Sequence, residues 1–170
     1  MKNELVLQLY EQYSDDLYRF AYAYLGYGED AEDVVQQVFL KLIKNNISIS
    51  LGKEKAYLMS MTANTCKDLL KSCNVRQKAA FEDVYGTVIE MFSLEESNLI
   101  GVMKELPEKY RAALHLHYFE GYTIKEISKI LKCSSSTVSM RLTRGRKILK
   151  DLLVKEELEW EKSTMIHLKK

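Results

Sequence analysis

Turn-forming residues are scarce in this chain of 170 residues, which contains a single proline, Pro107, and seven glycines. A protein built mainly from strands needs a turn about every 8–12 residues, and glycine and proline supply many of those turns. Apolar residues recur instead at spacings of three and four, as in Tyr13, Leu17, Phe20 and Tyr24, which is the period of an amphipathic helix. The sequence therefore predicts an all-α fold with long helices.

The composition is that of a compact protein. With 46% hydrophobic and 29% charged residues, the chain can bury a core, which excludes the disordered class. No apolar run approaches the roughly 18 residues that span a bilayer, and the first twenty residues carry acidic side chains where a secretory signal has an apolar segment. Three cysteines, an odd and sparse number, fit a reducing compartment. These features predict a cytoplasmic protein without membrane insertion.

The formal net charge of +1 hides a strong alternation along the chain. Residues 1–40 carry eight acidic and two basic residues, whereas residues 41–78 carry two acidic and eight basic residues. An acidic stretch over 79–103 precedes a second basic block over 122–150, which has eight basic residues and one acidic residue. Because charge asymmetry reflects partners rather than fold, the two basic blocks indicate nucleic-acid contact.

The helical patterns group into two small domains. The first covers residues 1–74 and the second residues 94–153. Residues 75–93 are acidic and weakly periodic, which predicts a flexible linker, and residues 154–170 form a tail without a recognisable motif.

The second basic block begins with the most specific local pattern, YTIKEISKILKCSSSTVSMRLTRGRKIL, over residues 122–149. Thr123 and Glu126 have the spacing of a capping box, so a helix is expected to start there. Lys132 and Cys133 fall where that helix breaks, and Ser134 can cap a second helix. A short helix, a tight turn and a basic helix together indicate a helix-turn-helix.

The second helix of this motif has two distinct faces. At about 100° per residue, its buried face is predicted to hold Val138, Leu142, Gly145 and Leu149, and its outer face Ser136, Met140, Thr143 and Lys147, flanked by Ser139 and Arg144. Such a helix fits the major groove, where its outward residues meet base edges and its cations meet phosphates. The alternative is an amphipathic helix whose basic residues only keep it soluble.

Two segments of the chain also resemble regions of the sigma-70 family of RNA polymerase sigma factors, of the extracytoplasmic-function (ECF) type. LPEKYRAALHLHYFEGYTIKEISKILKCSSSTVSMRLTRGRKILKDLL is similar to region four. YSDDLYRFAYAYLGYGEDAEDVVQQVFLKLIK and AYLMSMTANTCKDLLK are similar to region two. The resemblance covers about residues 10–72 and 100–153. This chain departs from the family at Lys132, where the family frequently has glycine.

The resemblance implies an alternative sigma factor that binds core RNA polymerase and directs promoter recognition, DNA melting and transcription initiation. The protein would then be no enzyme itself, and an anti-sigma factor would be a further partner. By position, the resemblance implies a minus-35 site at Ser135, Ser136, Ser139, Met140, Arg141, Thr143, Arg144 and Lys147. It implies a minus-10 site at Asn64, Lys67, Asp68, Lys71 and Arg76. It implies core polymerase contacts at Asp33, Gln36, Gln37, Phe39 and Lys41, although Phe39 lies on an apolar stripe and also suits the core.

No catalytic residue, metal site or other cofactor is predicted. His115 and His117 are two residues apart on a predicted helix and face in different directions, so they cannot share a metal ion. Two other functions remain open at this level: a helix-turn-helix regulator that binds an operator as a dimer, and a helical adaptor or sigma-sequestering module. The first leaves the DAED helix at residues 30–33 unexplained, and the second predicts no salt-dependent DNA affinity.

Overall fold

The computed structural model describes residues 2–72 and 94–168, and in these residues all regular secondary structure is helical. The helices are α1 (Lys2–Leu25), α2 (Gly28–Asn45), α3 (Glu54–Ser72), α4 (Leu94–Met103), α5 (Glu108–Tyr118), α6 (Ile124–Leu131) and α7 (Ser135–Leu168). The predicted all-α class is confirmed. The predicted linker, residues 75–93, lies outside the described residues.

Helices α1, α2 and α3 pack together around one part of the core. The side chains of Leu17, Phe20, Val34 and Leu58 are completely buried in it. Gly26 follows α1 with a φ of +84°, a left-handed conformation that glycine adopts without steric cost. Gly28 lies two residues later and is the first residue of α2.

Helices α5, α6 and α7 form the second packed unit, with α4 against α7. Pro107 is the residue that directly precedes α5. Its missing N–H costs nothing there, because a helix leaves its first N–H groups unpaired. Leu114, Ile127, Val138 and Leu142 are buried at the centre of this unit.

The helix-turn-helix has the predicted capping. The Thr123 hydroxyl accepts a hydrogen bond from the Glu126 N–H at 3.3 Å, and the Thr123 N–H donates to Glu126 Oε2 at 2.8 Å. Ser134 Oγ accepts from the Thr137 N–H at 3.1 Å at the start of α7. Between the two helices, Lys132 adopts φ 52° and ψ 49°. The turn thus uses the left-handed conformation that glycine would favour.

We expect Lys132→Gly to stabilise the protein by about 0.5–1 kcal/mol. An L residue in the left-handed region is strained by about 1–2 kcal/mol, and glycine removes that strain. Part of the gain is lost because glycine increases the conformational entropy of the unfolded chain. Urea unfolding followed by circular dichroism measures the change. Asn46→Gly is the matched control, since Asn46 is also left-handed (φ 53°) but asparagine tolerates that conformation better. An equal or larger gain for Asn46→Gly would contradict the explanation.

Helix α7 is longer than the sequence predicted. It continues through the predicted tail to Leu168, and Val154 and Leu158 on this extension are 48% and 50% exposed. The sequence contains no glycine or proline after Gly145, and lysine, glutamate and leucine, all good helix formers, fill much of the extension.

The two packed units also contact each other directly. Helix α5 lies against α1, and α6 lies against α3. Arg111 Nη2 on α5 donates a hydrogen bond to the Tyr24 carbonyl at 2.7 Å, and the same guanidinium donates to the Lys104 carbonyl through Nη1 at 2.9 Å. The contacts of α5 with α1 and of α6 with α3 together set the position of the helix-turn-helix relative to α3.

Candidate nucleic-acid interface

The outer face of α7 is an exposed stripe that begins at the helix N-terminus. Its exposed residues are Ser135, Ser136, Ser139, Met140, Thr143, Arg144 and Lys147. The opposite face is held in place by the buried side chains of Val138 and Leu142 and by Gly145. Burial of one face and exposure of the other follow the predicted helical wheel, so the stripe is presented on a fixed helix.

Three side chains of the predicted minus-35 set make contacts within the protein, and the first is Ser136, whose Oγ lies 3.0 Å from Ser134 Oγ. Thr143 Oγ1 donates to the Ser139 carbonyl at 2.9 Å, so its hydroxyl proton is already engaged by the helix backbone. Arg141 is half-buried, and its Nη1 lies 4.0 Å from Cys133 Sγ in the turn. Arg144 and Lys147 are more exposed, and they supply the positive charge of the stripe.

Four residues of the predicted minus-10 set follow one face of α3 at spacings of three and four. Asp68 and Lys71 are exposed, whereas Asn64 and Lys67 are half-buried. Lys67 Nζ donates to the Leu131 carbonyl of α6 at 2.7 Å. Burial, together with the charge of Arg141, lowers the pKa of Lys67. Arg76 lies outside the described residues.

The polar face of α2 carries the predicted polymerase contacts. Asp33, Gln36 and Gln37 are exposed, and Lys41 Nζ donates to Thr65 Oγ1 at 3.2 Å. Phe39 is only 6% exposed, and its ring packs edge-on against Tyr10 with centroids 5.0 Å apart. Phe39 is therefore placed in the core rather than on this face.

An apolar patch beside this face was not found from the sequence. Leu40 and Ile43 are 51% and 48% exposed, although Ile43 belongs to an otherwise buried stripe. Leu7 and Tyr10 from α1 extend the patch, and a surface pocket of about 240 Å³ lies between these two helices. A leucine and an isoleucine three positions apart on α2 were the available sequence signal, and contiguous exposed apolar surface marks interaction sites.

A charged cluster joins α1, α3 and the residues that follow α5. Lys55 Nζ lies 2.8 Å from Asp16 Oδ2 and 2.7 Å from Glu120 Oε2, and Arg19 also pairs with Asp16. Burial opposes ionisation of Asp16, but the hydrogen bonds from Lys55 and Arg19 hold its pKa below the ordinary value. Burial opposes the charge of Lys55 as well, yet the two carboxylates raise its pKa. Asp16 and Lys55 therefore carry their charges near neutral pH.

His115 closes this cluster on its buried side. Its side chain is 1% exposed, its ring stacks on Phe119, and its Nε2 lies 3.7 Å from Glu120 Oε1. Burial lowers the pKa of His115, so the neutral imidazole is the favoured form. His117 points elsewhere, and its Nδ1 lies 3.0 Å from the Tyr122 carbonyl oxygen. In residues 2–72 and 94–168, no three His, Cys, Asp or Glu side chains gather as a metal site would require.

The helices of the described part of the chain are all too short or too polar to cross a bilayer. The sequence matches two family models: sigma-70 region 2 over residues 9–85 and sigma-70 region 4 over residues 97–149. The helix-turn-helix thus lies in the region 4 match, and α2 and α3 lie in the region 2 match.

Three known proteins illustrate the similarity. The ECF RNA polymerase sigma factor SigE of Mycolicibacterium smegmatis is 30% identical over 165 residues, which are 92% of this chain and 64% of SigE. The RNA polymerase sigma factor SigZ of Bacillus subtilis is 33% identical over 132 residues, 72% of each chain. The sigma factor RpoE of Bartonella quintana, solved in complex with the anti-sigma factor NepR, has the same fold, with a TM-score of 0.70 at 21% identity over 90% of this chain and 98% of RpoE.

The two-part helical fold, the exposed recognition helix and these matches define a promoter-specificity factor of RNA polymerase. The chain belongs to the sigma-70 family and is an alternative sigma factor of the ECF type. Such factors direct promoter recognition and transcription initiation and are not themselves enzymes.

Proposed function

We propose that this sigma factor reads the minus-35 element with the exposed stripe of α7, and the minus-10 element with α3. The observation that carries the proposal is the stripe itself. It is polar and basic, it starts at a capped helix N-terminus, and its opposite face is anchored in a core. A helix enters the major groove in this way, with its first turns against base edges.

The chemistry of the stripe suits the major groove. Arg144 can donate two hydrogen bonds to a guanine edge, and Lys147 can neutralise a phosphate. Ser136 and Ser139 can donate to or accept from base edges. The methyl group of Thr143 suits contact with a thymine methyl group, since its hydroxyl already bonds to the helix backbone.

The α3 face fits contact with an unpaired strand of the minus-10 element, or with the phosphate backbone there. Lys71 offers a cation for phosphate, and Asn64 can hydrogen-bond to a base. Opening a promoter costs a few kcal/mol per unpaired base, and contacts of this kind offset that cost. Arg76 belongs to the proposed site on the family resemblance alone.

Core RNA polymerase is proposed to bind the polar face of α2, at Asp33, Gln36, Gln37 and Lys41. The exposed side chains of Leu40 and Ile43 extend this face with apolar area. In domain terms, we assign region 2 to residues 1–74 and region 4 to residues 94–153. An anti-sigma factor is a further proposed partner, since RpoE of Bartonella quintana forms such a complex.

We expect Arg144→Ala to weaken promoter-directed transcription about 10–100-fold at promoters that carry the base preferred by Arg144, since a good bidentate contact contributes about 1–3 kcal/mol. The loss should be far smaller at promoters with another base at that position. The assay combines the purified chain, core RNA polymerase and a promoter library, with sequencing of the transcripts. Lys155→Ala is the control, because it removes the same charge from an exposed position further along α7.

Absence of both core binding and promoter-directed transcription by the wild-type chain would refute the proposed function. Tight operator binding without polymerase, at half-sites about one helical turn apart, would favour a dimeric regulator instead. An equal loss for Arg144→Ala and Lys155→Ala would remove Arg144 from the base-reading set.

A further inference from the structure

The side chain of His115 lies where the two packed units meet. Its ring stacks on Phe119 of its own unit, with centroids 5.0 Å apart, and its centroid lies 5.7 Å from that of Phe20, which belongs to α1 of the other unit. His115 is one helical turn after Arg111, whose guanidinium donates to the Tyr24 carbonyl of α1, so both residues are on the face of α5 that packs on α1. In the closed arrangement, with α5 on α1 and α6 on α3, the imidazole is 1% exposed.

Neither nitrogen of this imidazole has a hydrogen-bond partner among the described residues. The carboxylate oxygen Oε1 of Glu120 lies 3.7 Å from Nε2, which is too long for a hydrogen bond. A buried polar group without a partner is unfavourable, and native proteins keep few of them. A leucine or phenylalanine would fill the same apolar space without that penalty. Packing alone therefore does not explain a histidine at this position.

Charged side chains from α1, α3 and the segment after α5 lie around His115. Glu120 pairs with Lys55 of α3, whose ammonium group also pairs with Asp16 of α1. Arg19 of α1 pairs with the same Asp16. Burial has the largest effect on the imidazole and lowers its pKa, against the attraction of the two carboxylates and together with repulsion by Arg19. The ring is therefore neutral in the closed arrangement.

We propose that His115 makes the contact between the two packed units acid-sensitive, so that the units separate as the solution becomes acidic. Separation of α5 from α1 exposes the imidazole to water, where a histidine accepts a proton with a pKa of about 6.5. In the closed arrangement, the same proton would have to enter a buried site in which neither ring nitrogen is hydrogen-bonded. The separated state therefore binds the proton more tightly, and each pH unit below about 6.5 favours separation about tenfold.

The neighbouring groups do not change their charge in the same pH range. Burial opposes the ionisation of Glu120 and Asp16, but their hydrogen-bonded partners hold the pKa of each carboxyl group below its ordinary value. Both carboxylates therefore stay ionised until the pH falls below about 4. Burial opposes the charge of Lys55 too, but the same two carboxylates raise its pKa. Between about pH 7.5 and pH 5.5, the titrating member of this cluster is therefore His115.

This inference rests on the contacts between the two packed units and not on the proposed DNA sites. The contact is stable while His115 is neutral, and its stability falls as the pH drops below the ordinary pKa of a histidine, about 6.5. Separation also frees Lys67 of α3 from the Leu131 carbonyl of α6, to which it donates in the closed arrangement. Acidification is thus a signal to which the chain itself responds, through one side chain.

The test compares His115→Leu with His117→Leu in the full chain. Both changes remove one histidine from α5, but the His117 ring lies against the Tyr122 carbonyl within its own unit. His115→Phe is a second variant, which keeps an aromatic ring in the space between the two units and cannot be protonated. His167 is kept in every sample, so its titration is common to all of them.

Single-molecule energy transfer counts separated and closed molecules at pH 7.5 and pH 5.5. The dyes are attached at Lys44→Cys and Lys150→Cys, which are exposed positions in different units. Cys73→Ser and Cys133→Ser are present in all samples, and Cys66 is buried. Circular dichroism at both pH values reports whether the helices themselves persist.

We expect the ratio of separated to closed molecules to rise about tenfold from pH 7.5 to pH 5.5 in the chain with both histidines and in His117→Leu. The ratio should stay nearly constant in His115→Leu and His115→Phe, with helix content retained throughout. An equal rise in all four chains would overturn the proposal. A constant ratio in the chain with both histidines would overturn it whatever the variants do, and a falling ratio there would show that a protonated His115 strengthens the contact through Glu120.

Discussion

Leu142→Ala is expected to destabilise the second domain by about 2–5 kcal/mol, because it removes a buried side chain and leaves a cavity. Leu142 is 1% exposed and lies on the inner face of α7, directly opposite the stripe that we assign to DNA. A domain of about 60 residues has a total stability of roughly 3–9 kcal/mol. One substitution can therefore remove much of that stability. Promoter binding should then decrease in proportion to the folded fraction of the chain.

Leu158→Ala is the matched control for this prediction, since Leu158 lies on the same helix and is 50% exposed. Its expected cost is below about 1 kcal/mol. Urea unfolding followed by circular dichroism gives both values, and promoter binding is measured at 10 °C and 37 °C. Equal costs for the two leucines would show that the inner face of α7 contributes little to folding.

Gly145→Val is the second substitution with a large expected effect, about 1–3 kcal/mol or more of destabilisation through overpacking. A Cβ atom at Gly145 would lie 3.1 Å from Leu114 Cδ1 and 3.2 Å from Tyr110 Cβ. Helix α5 and helix α7 approach each other closely at this point, and valine would place two further methyl groups in the same space. Helix α7 must then shift or tilt, which moves the stripe that we propose to contact DNA.

Gly145→Ala provides the comparison. Its single methyl group meets the same two neighbours, but alanine gains about 1 kcal/mol of helix propensity over glycine. These effects nearly cancel, so the free energy of unfolding should change by less than about 1 kcal/mol. Thermal unfolding of both variants checks the pair, and a valine variant as stable as the alanine variant would exclude a steric reason for the glycine.

Local structure was predictable because short-range chemistry determines it. The capping box of Thr123 and Glu126 and the cap at Ser134 depend on residues within three positions of each other. The inner and outer faces of α7 follow from the helical period alone. The left-handed conformation at Lys132 was indicated only by the family resemblance, because glycine is frequent at that position and adopts this conformation most easily.

The relation between the two domains was not predictable in the same way. Lys55 and Glu120 are 65 positions apart in the sequence, and no local pattern links one to the other. Arg111 looks like an ordinary helix cation until Tyr24 is placed beside it. No periodicity marks such partners, because the two domains have separate hydrophobic patterns and the ion pairs depend on how those domains dock. The exposure of Ile43 was not predictable for a related reason. Helical periodicity identifies the residues of an apolar stripe, but it does not show which of them lie at the edge of the stripe and stay exposed.

The closed arrangement also brings together positive charge from the two basic blocks of the sequence. Burial, and after it the neighbouring charge of Arg141, disfavours the ammonium form of Lys67 and lowers its pKa. Dissolved ions therefore act on this protein twice. They weaken contacts with DNA phosphates, and they screen the repulsion between the two basic blocks, which strengthens the contact between the two packed units. Added salt should thus weaken binding of the chain to DNA while it strengthens the contact between the two packed units.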